Sequence, residues 1–215
     1  MKLAVVCANG KAGQKIVEEA LGRGLDVTAV VRGENRSAAT QVVQKDLFDL
    51  TPQDLAGYDV VVDAFGAWTE DTLPLHGTSL QHLCDCLSGT GTRLLVVGGA
   101  GSLYTNPEHT AVLSDGPGFP AEFLPLAQAQ GKALEALRTR NDVQWTFLSP
   151  AADFQPEGAR TGKYILAGEE FTCNAKGESV ISYADYAIAL VDEAVSGAPP
   201  QPRISWGGDH QENNT

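Results

Sequence analysis

The sequence predicts an α/β protein with a doubly wound Rossmann fold, in which a single domain contains a mostly parallel sheet of six or more strands flanked by helices. Short apolar runs rich in β-branched residues alternate with amphipathic stretches, as in successive βαβ units. A glycine-containing turn joins the first run to the first amphipathic stretch. The length of 215 residues and the hydrophobic content of 43% are ordinary for one globular domain.

Six apolar runs are the predicted strands, and their continuously apolar centres indicate buried strands of a parallel sheet. The runs comprise residues 2–7, 26–32, 41–45, 58–64, 93–97 and 144–148. Residues 11–23 repeat apolar positions at intervals of three and four, with charged residues on the other side, which predicts an amphipathic helix. Further helices are predicted over residues 75–87, 121–138 and 183–195.

The part of the chain beyond Pro150 has a different pattern. Residues 160–166 indicate an extra strand or a loop, and residues 150–200 are predicted to supply elements that cover the substrate side. The domain is expected to span residues 1–206. Residues 207–215 have almost nothing to bury and are predicted to form a mobile tail.

The formal net charge of −12 disfavours two classes of partner. The negative field around the chain repels nucleic-acid phosphates and anionic lipid surfaces, so neither nucleic acid nor membrane is expected to bind. The apolar start of the chain is too short for a signal peptide, and no apolar run approaches the roughly 20 residues that span a bilayer. These features predict a cytoplasmic protein.

The cysteines and histidines, four of each, are too scattered to indicate a metal site or a disulfide framework. The chain has no CxxC pair. Cys84 and Cys86 lie two residues apart in a predicted helix, so they point to different faces and cannot together chelate one ion. We therefore expect no metal.

The turn after the first predicted strand reads Cys7-Ala-Asn-Gly-Lys-Ala-Gly13. In a Rossmann fold the pyrophosphate of a dinucleotide lies at this junction, on the N–H groups of the helix N-terminus. Gly10 would let the backbone approach a phosphate, and Gly13 would allow close contact between helix and strand. Cys7 departs from the GxxGxxG pattern at its first position. The turn predicts dinucleotide binding, and the alternative is a tight turn without a ligand.

The end of the second predicted strand indicates which dinucleotide binds. NAD-binding proteins usually carry an acidic residue there, about 20 residues after the glycine-rich turn. This chain has Arg32 at that point and Arg36 four residues later, and two guanidinium groups can hold a 2′-phosphate. NADP(H) is the preferred cofactor and NAD(H) the alternative. If both arginines are only solvated surface residues, this preference has no basis.

Six segments between Lys2 and about Glu193 carry a family resemblance. They are CANGKAGQKIVEEALGRGLDVTAVVR, VVVDAFGAW, LLVVGGAGSL, WTFLSPAADF, RTGKYIL and SYADYAIALVDE. Together they resemble the NmrA-like, atypical short-chain dehydrogenase/reductase family, and within it bacterial NADH-flavin reductase-like proteins and biliverdin reductase B-type enzymes. The resemblance implies a Rossmann fold and a role as a reductase or a sensor.

The resemblance also implies a set of cofactor contacts. The pyrophosphate would contact Gly10, Lys11, Ala12 and Gly13, and the adenosine phosphate would contact Arg32 and Arg36. The adenine would lie between Asp46 and Leu47. The path to the nicotinamide ribose would be lined by Ala64, Phe65 and Gly66, and the nicotinamide ring would lie over Pro150 and Ala151. Ser102 matches a serine near the nicotinamide and is the candidate catalytic residue, with plain loop packing as its alternative role.

An acid/base pair used by typical short-chain dehydrogenases is missing from the sequence. Those enzymes use a tyrosine followed four residues later by a lysine, which lowers the tyrosine pKa for proton transfer. None of the five tyrosines has a lysine four residues on. Lys132 could act in its place, although an exposed helix lysine is usually only a solvated charge. This favours an acceptor ring that takes hydride directly while solvent supplies the proton.

The substrate side is predicted from aromatic residues that follow strand ends. Trp68 and Phe154 are the candidate substrate contacts, because ligands bind at the carboxyl ends of strands in open sheets. Residues 115–123 and 160–164 would complete the pocket as glycine-containing loops. The alternative is that both aromatic rings belong to the core.

Two functions fit these observations. The first is an NAD(P)H-dependent reductase that transfers hydride to a flavin, a quinone or a similar conjugated acceptor, with the flavin as a substrate. The second is a non-catalytic NADP(H)-binding redox sensor of the NmrA type. In either case we expect a small conjugated molecule as partner and a monomer or homodimer. Arg32 argues against a third reading, an S-adenosylmethionine methyltransferase, which usually has an acidic residue at this point.

Overall fold

The computed structural model describes residues 1–197 and 203–207. Within them the main sheet has eight strands and a small sheet has two. The main sheet contains β1 (Lys2–Val6), β2 (Asp26–Val31), β3 (Gln41–Gln44), β4 (Val60–Asp63), β5 (Arg93–Val97), β6 (Gln144–Ser149), β8 (Ile165–Ala167) and β10 (Arg203–Gly207). The small sheet pairs β7 (Asp153–Gln155) with β9 (Val180–Ser182).

Four α-helices occur in the described residues, and none of them is long and apolar enough to cross a membrane. They are α1 (Lys11–Gly22), α2 (Leu75–Leu87), α3 (Leu124–Leu137) and α4 (Tyr183–Val195). Helices α1 and α4 pack against each other on one face of the sheet, and α2 and α3 pack together on the other. The sheet therefore lies between two helical layers, as the sequence predicts.

The strand order of the main sheet is β3-β2-β1-β4-β5-β6-β10-β8. Neighbouring strands are parallel except β8, which runs antiparallel to β10. This order confirms the doubly wound, mostly parallel sheet. The winding direction reverses between β1 and β4, and the carboxyl ends of two such strands open a crevice that can take a ligand.

The side chains of successive strand residues enter different layers, which divides the core in two. In β1, Leu3 and Val5 face α1 and α4, whereas Ala4 and Val6 face α2 and α3. All four are fully buried. Strands covered on both faces read as continuous apolar runs, which is why the sequence showed them clearly.

Two predictions for regular structure are wrong in detail. Strand β3 is not buried, since Gln41, Val42 and Gln44 are exposed at the edge of the sheet. The helix predicted over residues 121–138 begins as a 3₁₀ turn at Ala121–Phe123 and becomes α-helical only from Leu124. Pro125 occupies the first turn of α3, where its missing N–H costs nothing.

The carboxyl-terminal part of the fold contains strands that the sequence analysis did not find. Strands β7 and β9 have three residues each, too few to show a pattern, and β10 follows a segment with no clear periodicity. In the 160–166 segment only the last two residues belong to a strand, β8. Gly207 ends β10 and is not part of a tail, while the rest of the predicted tail, 208–215, lies outside the described residues.

Candidate functional site

The glycine-rich turn begins with a residue in an unusual backbone conformation. Cys7 has φ 61°, in the left-handed region that favours glycine. Its N–H donates to the Val30 carbonyl, and its carbonyl accepts from Gly10 N, both at 3.0 Å. The GxxGxxG pattern has glycine here for this reason, and this chain tolerates cysteine at a cost in strain. Burial, aided by the nearby Asp63 carboxylate, raises the pKa of the Cys7 thiol to about 12, so the thiol is neutral.

The two glycines of the turn bring helix α1 against strand β1. A Cβ on Gly13 would lie 2.7 Å from the Cys7 carbonyl oxygen and 2.9 Å from Ala8 Cα, so only glycine fits. This confirms the predicted close packing. A Cβ on Gly10 would lie 3.3 Å from the same oxygen.

The amino end of α1 has donors that the helix itself does not use. The Gln14 N–H donates to the Gly10 carbonyl at 2.9 Å and is the first donor of the helical ladder. The N–H groups of Lys11, Ala12 and Gly13 come before it and lack an intrahelical acceptor. The first turn has no acidic residue, and Gly10 has no side chain to cap it. These residues fit the pyrophosphate of a dinucleotide.

Asn9 is a residue of the turn that the sequence analysis did not select. Its side chain donates to the Glu34 carbonyl at 2.8 Å and accepts from Arg36 N at 2.7 Å. Its own carbonyl accepts from Gln14 Nε2 at 2.8 Å. Asn9 thereby fixes the loop after β2 beside the glycine-rich turn. The only signal for Asn9 in the sequence was its place in the turn, between Cys7 and Gly10.

Arg32 and Arg36, the predicted 2′-phosphate ligands, are exposed on that loop. Neither guanidinium has a hydrogen bond or an ion pair with another residue of the described chain. The charge of Arg32 slightly offsets the rise in the Cys7 pKa, which places Arg32 close to the turn. Both arginines are therefore available to an anion at the end of β2.

Asp46 and Leu47, the predicted adenine contacts, begin a short 3₁₀ helix after β3. The Asp46 carboxylate accepts from Phe48 N at 3.0 Å and caps this helix. Leu47 is buried in the core layer that includes Val30 and Val61. Contact with adenine stays a prediction for both residues, and the buried Leu47 side chain leaves little surface for it.

The segment after β4 runs beside the glycine-rich turn. Ala64 N donates to the Val6 carbonyl at 3.1 Å, and Phe65 N donates to the Asp63 carboxylate at 3.0 Å. The indole nitrogen of Trp68 lies 3.5 Å from where a Cβ on Gly66 would be. Trp68 is 69% exposed, so a large aromatic face is open to solvent next to the predicted ribose path.

Asp63 is a buried carboxyl that the sequence analysis did not select. Burial raises its pKa to about 6, despite the hydrogen bond from Phe65 N. Beside it is a cavity of about 20 Å³, whose lining includes His76, Gly98 and Gln130. The Asp63 carboxyl therefore exchanges its proton much closer to neutrality than an exposed aspartate does.

The loop after β5 is held tightly between β6 and α3. A Cβ on Gly98 would strike the Phe147 ring at 2.1 Å, one on Gly99 would strike Gln130 Oε1 at 2.1 Å, and one on Gly101 would lie 2.6 Å from Ala127 Cβ. A side chain at Gly98 or Gly101 would clash with the packed Phe147 ring or with Ala127, whereas one at Gly99 would require the flexible Gln130 side chain to move. The loop delivers Ser102, half-buried, beside α3.

Ser102 is connected to the end of β6 by Arg203 of β10. The Arg203 guanidinium donates to the carbonyl and the hydroxyl of Ser102, at 2.7 and 2.9 Å, and to the hydroxyl of Ser149 at 2.9 Å. Ser149 precedes Pro150 and Ala151, the predicted nicotinamide contacts, and Ala151 is buried. Arg203 was missed because no local pattern marks it.

Phe154, the second candidate substrate contact, packs within an aromatic cluster. Its ring centroid lies 3.9 Å from that of Tyr183 and 4.9 Å from that of Tyr186. The ring is only half-buried, so its substrate role stays a prediction beside an observed packing role. The neighbouring 160–164 loop is fastened to α4, where the buried Asp185 carboxylate accepts from Thr161 N and Gly162 N at 2.9 and 2.8 Å.

The carboxyl ends of β1, β4, β5 and β6 together form one continuous edge. It carries the glycine-rich turn, residues 64–66, residues 98–102 and residues 149–151, in the order in which the strands are paired. An extended ligand with a central anionic group fits this edge, with its phosphates on α1. The fold and site define a dinucleotide-binding Rossmann protein.

Comparison with known proteins agrees with this class. A family model described as NAD(P)H-binding matches residues 7–194. The chain belongs to this NAD(P)H-binding family, and its cofactor is a nicotinamide dinucleotide.

Individual relatives share nearly the whole chain. YwnB from Bacillus subtilis (strain 168) is 47% identical over 196 residues, which are 90% of this chain and 92% of that protein. The crystal structure of a candidate NADH-flavin reductase from Streptococcus pneumoniae TIGR4 is 58% identical, with a TM-score of 0.95 over 97% of this chain and 100% of the other. A candidate epimerase from Bacteroides thetaiotaomicron is 32% identical, with a TM-score of 0.85 over 99% of both chains.

Proposed function

We propose that the protein is a cytoplasmic NAD(P)H-dependent oxidoreductase that transfers hydride to a flavin, a quinone or a similar conjugated ring. The observation that carries the proposal is the common edge formed by the glycine-rich turn, residues 64–66, Ser102 and residues 149–151. The 58% identity to a candidate NADH-flavin reductase supports a flavin as acceptor.

The reaction needs positioning more than acid/base chemistry. Reduced nicotinamide, when bound, supplies the hydride. Pro150 and Ala151 would support one face of the nicotinamide ring, and the exposed indole of Trp68 would contact the acceptor ring. Ser102 would donate a hydrogen bond to the acceptor, and solvent would supply the proton. The absence of the Tyr-x-x-x-Lys spacing from the sequence supports this chemistry over alcohol oxidation or epimerisation.

NADP(H) is the cofactor that the charges favour. Arg32 and Arg36 lie on the loop after β2, which Asn9 fixes beside the glycine-rich turn. Two exposed guanidinium groups without a described partner suit the doubly charged 2′-phosphate, which NAD(H) lacks.

A redox sensor is the second candidate. The missing Tyr-x-x-x-Lys spacing and the resemblance to NmrA-like proteins favour it, since a sensor needs the cofactor site but no turnover. The two candidates share the same cofactor edge and differ in whether an acceptor is reduced.

The deciding experiment follows NADPH and NADH oxidation by the purified protein at the nicotinamide absorbance band, with and without FMN or a simple quinone. We expect turnover that depends on the acceptor and is faster with NADPH. Tight NADPH binding without turnover would contradict the reductase and favour the sensor. Equal kcat/KM for both dinucleotides would contradict the role given to the arginines.

A further inference from the structure

Arg203 is a deeply buried charged side chain near the candidate site, with 1% of the side chain exposed. Its counter-ion is weakly engaged, because Glu169 Oε2 lies 3.5 Å away and is held at 2.6 Å by Arg138 instead. Burial lowers the pKa of Arg203 to about 10, so the guanidinium remains charged at neutral pH. A charge that is desolvated to this extent needs other partners.

Those partners are the two serines at the ends of β5 and β6. Arg203 Nη1 donates to the Ser102 carbonyl, and Nη2 donates to the hydroxyls of both Ser102 and Ser149. Nε also donates to the Ser149 hydroxyl, at 3.3 Å. The planar fork of one guanidinium thus joins the loop at Ser102 to the carboxyl end of β6 at Ser149.

The direction of these bonds fixes the role of the Ser102 proton. A guanidinium has only donors, so the Ser102 oxygen must accept, and its own O–H must point elsewhere. Within the described residues no group accepts that proton. A nearby cation also polarises the hydroxyl and makes it a stronger donor.

We infer that Arg203 is a positioning residue, which holds Ser102 as a hydrogen-bond donor towards the hydride acceptor and fixes its distance from the Pro150–Ala151 segment. This inference rests on the proposed reductase function. When a hydride, which is two electrons and one proton, passes to a conjugated ring, the ring gains a negative charge on an oxygen or nitrogen atom. The Ser102 O–H stabilises that charge until solvent protonates the ring. The acceptor class is therefore a ring with a conjugated carbonyl or imine, as in flavins and quinones.

The test compares Ser102→Ala, Arg203→Lys and the double variant, with FMN as acceptor and NADPH as donor. Lysine keeps the charge but lacks the fork that reaches both serines. We expect Ser102→Ala to lower kcat about 100-fold, within the range for losing one transition-state donor. Arg203→Lys should lose nearly as much, and the double variant should lose no more than Ser102→Ala, because the two residues act as one unit.

Controls separate positioning from folding. The Kd for NADPH should stay within about threefold of wild type in all three variants, and Ser102→Thr, which keeps the hydroxyl, should restore most of kcat. Arg138→Gln removes the closer partner of Glu169 without touching Ser102 and should leave kcat unchanged. If Arg203→Lys does not fold, Ser149→Ala removes one anchor of the guanidinium and should lower kcat several-fold at unchanged NADPH affinity.

Different results would overturn different claims. Wild-type kcat in Arg203→Lys, or in Ser149→Ala where that variant replaces it, would overturn the inference and leave the reductase intact. Losses that multiply in the double variant would do the same. A wild-type protein that binds NADPH but reduces neither FMN nor quinone would overturn the proposed function and the inference together.

Discussion

The two halves of the cofactor edge are built in different ways. In the half that would hold the phosphates, backbone atoms close in sequence shape the site: Gly13 lies against Cys7 and Ala8, and Asn9 reaches only to the loop at residues 34–36. In the half that would hold the nicotinamide, Arg203 bonds to residues 101 and 54 positions away. A site shaped by nearby backbone atoms restricts which residue types fit at a few positions of one segment. A site shaped by side chains from distant segments forms only when the whole fold is complete.

The largest effect is expected in the phosphate half, for Gly13→Ala. The added Cβ meets backbone atoms at 2.7 and 2.9 Å, so the amino end of α1 must move. We expect a loss of about 3 kcal/mol in the free energy of unfolding, and about 100-fold weaker NADPH binding because the helix N–H groups leave the phosphates. Urea denaturation and fluorescence titration measure both.

Gly22→Ala is the matched control in the same helix. Its Cβ would meet no atom within 4 Å, and we expect it to be neutral or to stabilise the protein by up to about 1 kcal/mol. Wild-type NADPH affinity in Gly13→Ala would show that the close packing of α1 is not needed for binding.

Beside the nicotinamide half, the largest effect on stability is expected at Asp185, which anchors the 160–164 loop of the predicted substrate side. This buried carboxylate accepts from Thr161 N, Gly162 N and the Thr161 hydroxyl at 2.7 to 2.9 Å. Asp185→Ala leaves these donors without their acceptor and should cost about 3 kcal/mol in the free energy of unfolding, with faster proteolysis of the 160–164 loop. Asp153→Ala, an exposed aspartate bonded to Gln155, should cost less than about 0.5 kcal/mol. Equal losses in the free energy of unfolding of the two variants would show that Asp185 does not anchor the loop.

A pH effect should arise where the halves meet, at Asp63. Its folded pKa of about 6 lies above the ordinary value of 3.8, so the folded protein holds this proton more tightly than the unfolded chain. The tighter proton binding stabilises the folded protein fully below pH 3.8, and this stabilisation is lost as the pH rises through 6. The total loss in the free energy of unfolding is about 3 kcal/mol.

Asp63→Asn removes this titration. We expect it to be more stable than wild type by about 2 kcal/mol at pH 8, with the difference vanishing towards pH 4. Urea denaturation at several pH values measures the difference, and Asp59→Asn, at an exposed position, is the control. A stability difference that does not change with pH would assign the titration to another group.

A smaller effect is expected for cofactor choice. Arg32→Ala and Arg36→Ala should each raise KM for NADPH about tenfold and leave KM for NADH nearly unchanged, since each loses a charge-assisted bond to the 2′-phosphate. Lys15→Ala, a charge removal on the exposed face of α1, should change neither. Parallel losses with both dinucleotides would mean that the arginines bind a part common to both.

The smallest effect is expected for Cys7→Gly. Glycine relieves the left-handed strain, worth about 1 kcal/mol, but the more flexible unfolded chain offsets part of it. We expect the free energy of unfolding to rise by up to about 0.5 kcal/mol, which thermal unfolding measures. Ala8→Gly, at a buried position with ordinary φ, should instead lose about 1 kcal/mol. A loss in both variants would mean that packing of the Cys7 side chain outweighs its backbone strain.

The sequence predicted the fold of the phosphate half well because its signals are local. The βαβ pattern located β1, α1 and β2 to within a residue, and the close packing at Gly13 followed from its spacing. The exposed edge position of β3 could not be predicted, because strand order is a property of the whole sheet.

The nicotinamide half was predicted only in part. Ser102, Pro150 and Ala151 were selected through the resemblance to a family, and the order of the strands explains why their segments lie on one edge. Arg203 and Asp185 were missed, since a buried charge is recognised by the partners around it, and those partners lie far away in sequence. Asp63 was missed because its raised pKa comes from burial, which depends on the packing of the whole sheet.

The position of β10 between β6 and β8 has a consequence for the order of assembly. The glycine-rich turn, the loop at residues 34–36 and the segment after β4 are all present once the first 66 residues have been made. Ser102 and Ser149 acquire their common partner only when residue 203 joins the sheet. During synthesis on the ribosome, a chain could therefore form the half that would bind the phosphates long before the half that would hold the nicotinamide, and β10, the last strand of the described residues, is the one that joins Ser102 to Ser149.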